Sequence, residues 1–401
     1  MSLARNVPLA CAYNFFHMCL IVVPVLVPYY QTLGLTISEV LQIQAAFGIS
    51  LALFEVPTGY IADLWSRKAS VCLGAFLSGC CFTYLPFATT YESLMIFQIT
   101  MGLAAALSSG ADTALIYDSL PPNVQRLKAL GSLSVWALLG ETVASIAAGS
   151  LVLYSFSAVT WAQACVMWVP FVIALFFVEP PIERMQRTEH LSNCMRVIKH
   201  VLSGDSLLRL IFLNCVVWGL SSYCVVWLQQ SYWARHGVPL PYFGIIWAVL
   251  MLVAVIASKS THRYERLVGA PTVLLTLAFA PCIGYFMMAL DLRALGIAAA
   301  ALFYINRGLA SVLLQDALNW KIPASFRATG NSLQSLAFRA SASVITPLVG
   351  LAVDKWGLPT GLCILGITFS ALLLLLALPL YHRIHELRIE YIPTDSASQG
   401  L

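Results

Sequence analysis

The sequence predicts an all-α integral membrane protein of twelve transmembrane helices in two pseudo-symmetric six-helix bundles. Three observations carry this reading. The 401 residues are 60% hydrophobic and only 10% charged, with a mean hydropathy of +0.83, whereas a soluble chain carries about 25% charged residues. Apolar runs recur at lengths that suit the roughly 20 residues a helix needs to cross a bilayer. Lys and Arg residues alternate between the two sides that those runs define.

In chain order the spans fall near 7–31, 37–62, 69–88, 92–116, 128–153 and 155–178, then near 207–232, 240–258, 270–289, 294–316, 328–353 and 359–381. This divides the chain into an N-terminal bundle (1–178), a polar linker (179–206), a C-terminal bundle (207–381) and a polar tail (382–401). The first span carries Pro24 and Pro28 and lacks a small-residue cleavage site, so it is expected to stay as a span and not to be removed as a signal peptide. With the N-terminus placed inside, seventeen of the 22 Lys and Arg fall on the cytoplasmic side. Arg235, Arg293 and Lys355 fall outside, and Arg307 and Arg339 lie within spans. That bias is the positive-inside pattern, and it predicts two cytoplasmic termini in an inner or plasma membrane.

Other classes find little support. The net charge of +4 is too small to suggest a nucleic-acid partner. Ten of the eleven cysteines, all but Cys194, fall within spans, where a thiol behaves as a small apolar group. Their spacing suggests neither a metal site nor a disulfide framework. No catalytic constellation marks an enzyme, no cofactor motif is present, and no repeated filter marks a channel.

The two halves resemble one another weakly. LIYDSL (Leu115 to Leu120) matches LLQDAL (Leu313 to Leu318), which sets Asp118 against Asp316, with Arg126 and Arg327 following at a similar distance. A parallel six-helix duplication predicts a solute site near the midplane, between halves that rock about it.

GYIADLWSRK, Gly59 to Lys68, resembles the signature loop between helices two and three of the major facilitator superfamily. It keeps Gly59, Ala62, Asp63, Arg67 and Lys68 and departs from the pattern at Leu64 and Ser66. GLAVDKWG, Gly350 to Gly357, echoes the same pattern at the other end of span eleven. The resemblance implies secondary active transport by alternating access, most often proton-coupled. It casts the Gly59–Lys68 loop as a cytoplasmic gate: Gly59 for close helix approach, Asp63 as the latch, and Arg67 and Lys68 fixing the loop. The alternative for the two basic residues is a simple headgroup anchor.

Ionisable groups at membrane depth are costly and are functional candidates. Glu55, Asp112 and Glu141 lie in the first half, Arg307 and Arg339 in the second. Three readings compete for them. Glu141, Asp112 and His17 are candidates for proton traffic, since a carboxyl or imidazole in a low-dielectric site can load and release a proton as access alternates. Arg307 and Arg339 are candidates for binding an anionic part of the substrate, through a forked, permanently charged donor set. The third reading makes all of them static salt bridges. Glu55 reads as local support for the gate. Asn14, Tyr304 and Trp218 are candidate cavity-lining residues, although at helical spacing such residues serve packing more often than ligands.

The resemblance leaves direction open. Exporters of this type often carry Arg in helix four and a Gly-Pro pair in helix five; here QITMG places Gln98 at the first position, and GETVASIAAG has Glu141 after Gly140. The expectation is proton-coupled export of a small organic solute by a monomer in the lipid bilayer. Uptake of an anionic or zwitterionic metabolite, or lipid flipping on the same fold, are the alternatives.

Overall fold

The structure, a computed structural model, describes residues 3–64, 66–120, 124–180, 205–322 and 327–390. Most of the predicted linker, including Cys194, and the end of the tail lie outside the described residues. Helix α1 (Asn6–His17) is followed by α2 (Leu26–Thr32), α3 (Ile37–Leu64), α4 (Arg67–Tyr84), α5 (Tyr91–Ser108), α6 (Ala111–Ser119), α7 (Val124–Leu151) and α8 (Phe156–Leu175). Then come α9 (Ser206–Arg235), α10 (Leu240–Val268), α11 (Ala270–Ala289), α12 (Arg293–Lys321), α13 (Arg327–Trp356), α14 (Leu358–Leu372) and α15 (Leu378–Glu390), with a π-helical turn at Leu373–Ala377 before α15. There is no strand among the described residues. Eleven helical stretches among them are long and apolar enough to cross a membrane.

The predicted first span is not one helix. It breaks after His17 and resumes at Leu26, where Pro24 and Pro28 remove amide donors and disfavour a continuous helix. Inside a membrane the freed backbone groups need protein partners, and two fully buried glutamines supply them. Gln163 of α8 accepts from Val22 N at 3.1 Å and donates to Cys19 O at 3.1 Å. Gln230 of α9 accepts from Val27 N at 3.0 Å and donates to Val23 O at 3.1 Å. The fourth span also breaks, at Gly110, whose φ of +79° starts α6; glycine adopts that conformation without steric cost.

The helices group into two compact units: Met1–Arg187 with Val226–Met251 and Arg339–Leu358, and Thr188–Val225 with Leu252–Phe338 and Pro359–Leu401. In the first unit, one core joins α1, α4, α6, α7 and α8 through residues such as Tyr13, Val71, Leu115, Leu133 and Ala174. The far end of this unit, opposite the Gly59–Lys68 loop, takes in one portion each of α9, α10 and α13. There α10 meets α7 so closely that a Cβ on Gly244 would strike Ser145 O. Small-residue contacts of this kind hold membrane helices together by van der Waals packing. In the second unit Tyr285 Oη donates to Ser221 O at 2.5 Å and stacks on Phe369 with ring centroids 5.6 Å apart. Ser222 Oγ donates to Asn306 Oδ1 at 2.6 Å, which ties α9 to α12.

Candidate functional site

The loop is held from within the first unit. Ser66 caps α4, its hydroxyl accepting from Ala69 N at 3.0 Å and donating to Glu179 Oε2 at 2.6 Å. Glu179 also accepts from Arg67 N and Lys68 N, each at 2.9 Å. A carboxylate at a helix N-terminus satisfies orphan donors and complements the helix dipole. The Arg67 guanidinium forms an ion pair with Asp118 and donates to Ala114 O at 3.1 Å. Arg67 is therefore bound to the protein, and Lys68 contributes its backbone donor. At Gly59 an added Cβ would meet nothing within 4 Å among the described residues. The Asp63 side chain lies outside the described residues.

The echo of the loop has its own contact at the far end. Asp354 on α13 accepts from Ile37 N at 3.1 Å and Ser38 N at 2.8 Å, the first two amides of α3. Closer to mid-helix, Arg339 Nη1 donates to Glu55 Oε2 at 2.5 Å, joining the same two helices. Ser109 Oγ lies 3.5 Å from Glu55 Oε1.

Glu141 is half-buried and is met by Trp247 Nε1 at 3.5 Å; no cation is recorded against it among the described residues. Asp112 sits in the first turn of α6 and accepts from Thr113 N at 2.5 Å and Thr113 Oγ1 at 3.2 Å. His17 stacks on Tyr13, with centroids 5.3 Å apart and 12° between planes, and its Nδ1 is buried without a partner. Asn14 donates to Ala10 O of its own helix at 2.9 Å. Cys11, Phe15, Phe16 and Trp136 help to line an apolar cavity of about 580 Å³ between α1 and α7, and none of the candidate residues above is among its lining.

In the second unit, Trp218 is fully buried and donates to Asn214 Oδ1 at 2.8 Å. Tyr304 is 1% exposed. Both sit in packing and offer little surface to a ligand. Arg307 differs: it is exposed at mid-helix, and one turn on lies exposed Ser311. An exposed guanidinium at that depth is costly to place against hydrocarbon. The structure therefore brings Glu55 to Arg339 and Arg67 to Asp118. It leaves Glu141, Asp112 and His17 as separate sites and places Arg307 in the other unit. Sequence reasoning missed the Gln163 and Gln230 clamps and gave Glu55 only a local part. Two prolines in one span were the signal for the clamps, but nothing local pointed to their partners.

Comparison with known proteins bears on the fold and the family. The family model described as Major Facilitator Superfamily matches residues 9–347. The Quinolone resistance protein NorA of Staphylococcus aureus is 30% identical over 114 residues, 28% of this chain and 29% of NorA. An uncharacterized MFS-type transporter of Methanocaldococcus jannaschii is 27% identical over 85 residues, 21% of this chain and 22% of that protein. The match thus spans less than a third of the length of either relative. Among solved structures, the nucleoside transporter NupG superposes with a TM-score of 0.76 at 12% identity, covering 94% of this chain and 98% of that one. The POT family transporter PepTSo gives 0.74 at 13%, covering 96% and 98%. At such identities these structures speak for the fold alone. A family match over most of the chain shows the class: the chain belongs to the major facilitator superfamily.

Proposed function

We propose that the protein exports a small organic solute in exchange for protons, with Glu141 as the proton site. The observation that carries this is the unequal neutralisation of the three intramembrane carboxylates. Glu55 has Arg339 and Asp112 has the first turn of α6, whereas Glu141 has one long contact from an indole N–H. Among the described residues Glu141 is therefore the least tied of the three carboxylates to other groups of the protein. The apolar, ring-lined cavity beside α1 suits the hydrophobic part of an organic solute, and exposed Arg307 suits an anionic part. The similarity to a quinolone resistance protein favours export.

In this reading α1 and α2 together form the first of twelve crossings, and both termini are cytoplasmic. The Gly59–Lys68 loop is the inner gate, with Asp63 as its latch, and the far end of the first unit is the outer seam. His17 and Asp112 assist proton traffic. The bundles are residues 1–178 and 207–381, joined by a cytoplasmic linker. The test is quinolone accumulation by energised inside-out vesicles. Export predicts uptake that collapses when nigericin removes the pH gradient. Uptake that ignores nigericin refutes proton coupling, and accumulation only in right-side-out vesicles refutes export.

A further inference from the structure

We propose that Arg339 is a carboxylate-binding subsite, filled by Glu55 while the carrier is empty, and that the Glu55–Arg339 pair locks the outer seam until a carboxylate on the solute replaces Glu55. The proposal rests on the transport reading above and names its substrate class: small organic molecules bearing a carboxylate.

The geometry of the pair points this way. The recorded contact uses one guanidinium nitrogen, Nη1, and one carboxylate oxygen, Oε2, at 2.5 Å. Among the described residues the other oxygen has only the 3.5 Å contact from Ser109 Oγ. An Arg fork is best satisfied by two parallel hydrogen bonds from one carboxylate, and this pair leaves that arrangement unused. The side chains of Arg339 and Glu55 are 20% and 28% exposed, so neither partner is sealed off in the core. Arg339 is the charged group recorded against Glu55 among the described residues, and Ser109 is the other polar contact. A bidentate carboxylate therefore competes with Glu55 for a donor set that Glu55 fills only in part.

The lock follows from where the two residues sit on their helices. Arg339 and Asp354 both belong to α13, separated by about 22 Å of helix at about 1.5 Å per residue. Between them Ser343 Oγ donates to Ala45 O at 3.3 Å, and Gly350 lies against the Ser38 backbone, where a Cβ would come 2.6 Å from Ser38 Cα. At the far end Asp354 caps α3. The α3–α13 contact thus runs from an ion pair at mid-helix to a cap at the outer end. Breaking the ion pair frees the inner end of this zipper, and what these contacts leave is small-residue packing, the Ser343–Ala45 hydrogen bond and one cap.

The test is hydrogen–deuterium exchange of the full-length protein in nanodiscs, read on peptides covering 37–48 and 343–354. Glu55→Ala should exchange there about tenfold faster than wild type, the factor expected for losing roughly one charge-assisted hydrogen bond. Added sodium acetate should slow it back towards wild type by filling the vacated subsite, and acetamide should not. The charge-swapped pair, Glu55→Arg with Arg339→Glu, should be slow without acetate. Adding Arg339→Gln to Glu55→Ala should abolish the acetate effect. If Glu55→Ala proves unstable, Glu55→Gln replaces it for the exchange comparison. Wild-type exchange in a folded Glu55 variant overturns the lock, and equal effects of acetate and acetamide overturn the subsite. Exchange is read without a gradient or a transported solute. Failure of the export assay therefore leaves this result standing, and failure here leaves the direction of transport untouched.

Discussion

Asp354 caps a helix to which it does not belong: its Oδ2 lies 2.8 Å from Ser38 N, and Oδ1 lies 3.1 Å from Ile37 N. Thr36 and Glu39 complete the same helix start with a reciprocal pair of bonds at 2.8 and 3.2 Å. The first donors of α3 are thus shared between its own capping residues and a carboxylate on α13.

Replacing Asp354 with Ala removes this cap and is expected to cost about 1 kcal/mol, the usual worth of an N-cap. Asp354→Asn keeps an acceptor and should recover part of it. Thermal unfolding in detergent, followed by tryptophan fluorescence, checks the order wild type, Asn, Ala. An Ala variant as stable as wild type would show that the contact carries no weight.

The clamps on the broken first span should be less forgiving. Gln163→Leu leaves Val22 N–H and Cys19 C=O buried without partners, at roughly 1–3 kcal/mol for each unsatisfied group. It should lower the unfolding temperature more than Asp354→Ala does. Gln163→Glu retains the acceptor for Val22 and should fall between. Limited proteolysis within residues 18–25 would report the same ranking.

Arg67 and Asp118 form a partly exposed ion pair, their side chains 16% and 31% exposed, so its net worth to stability is modest, about 1 kcal/mol or less. Asp118→Asn should slow transport with little loss of folded protein, and the exchange Arg67→Asp with Asp118→Arg should restore part of the rate. Transport assays on purified, monodisperse variants separate the two effects.

Arg307→Ala should leave stability almost unchanged, because an exposed guanidinium leaves no buried partner unpaired when it is removed. Substrate affinity should fall by about tenfold or more, the worth of one hydrogen bond to a charged group, with Arg307→Lys intermediate. Titration of a quinolone by scintillation proximity measures this directly. Unchanged affinity would exclude Arg307 from the site.

The fold was legible because apolar run length and charge alternation are local and additive. The ninth predicted span, 270–289, coincides with α11 (Ala270–Ala289). Local reading failed where a helix depends on distant groups. The first span reads as continuous, yet its break is held by glutamines 141 and 203 residues away in sequence. Glu55 reads as gate support because its partner is 284 residues away. Trp218 and Tyr304 carry the right chemistry for a cavity, but periodicity alone does not say which face of a helix is buried. Arg307 stands out in the sequence because one charge in an apolar run is a signal needing no partner.

Glu141→Gln, reconstituted in proteoliposomes, tests the central claim most directly. Two rates are compared, quinolone counterflow without a gradient and quinolone accumulation driven by an imposed pH gradient. Counterflow should persist while gradient-driven accumulation is lost, because a side chain that cannot release its proton still permits exchange but not coupling. Gradient-driven accumulation at the wild-type rate would contradict Glu141 as the proton site.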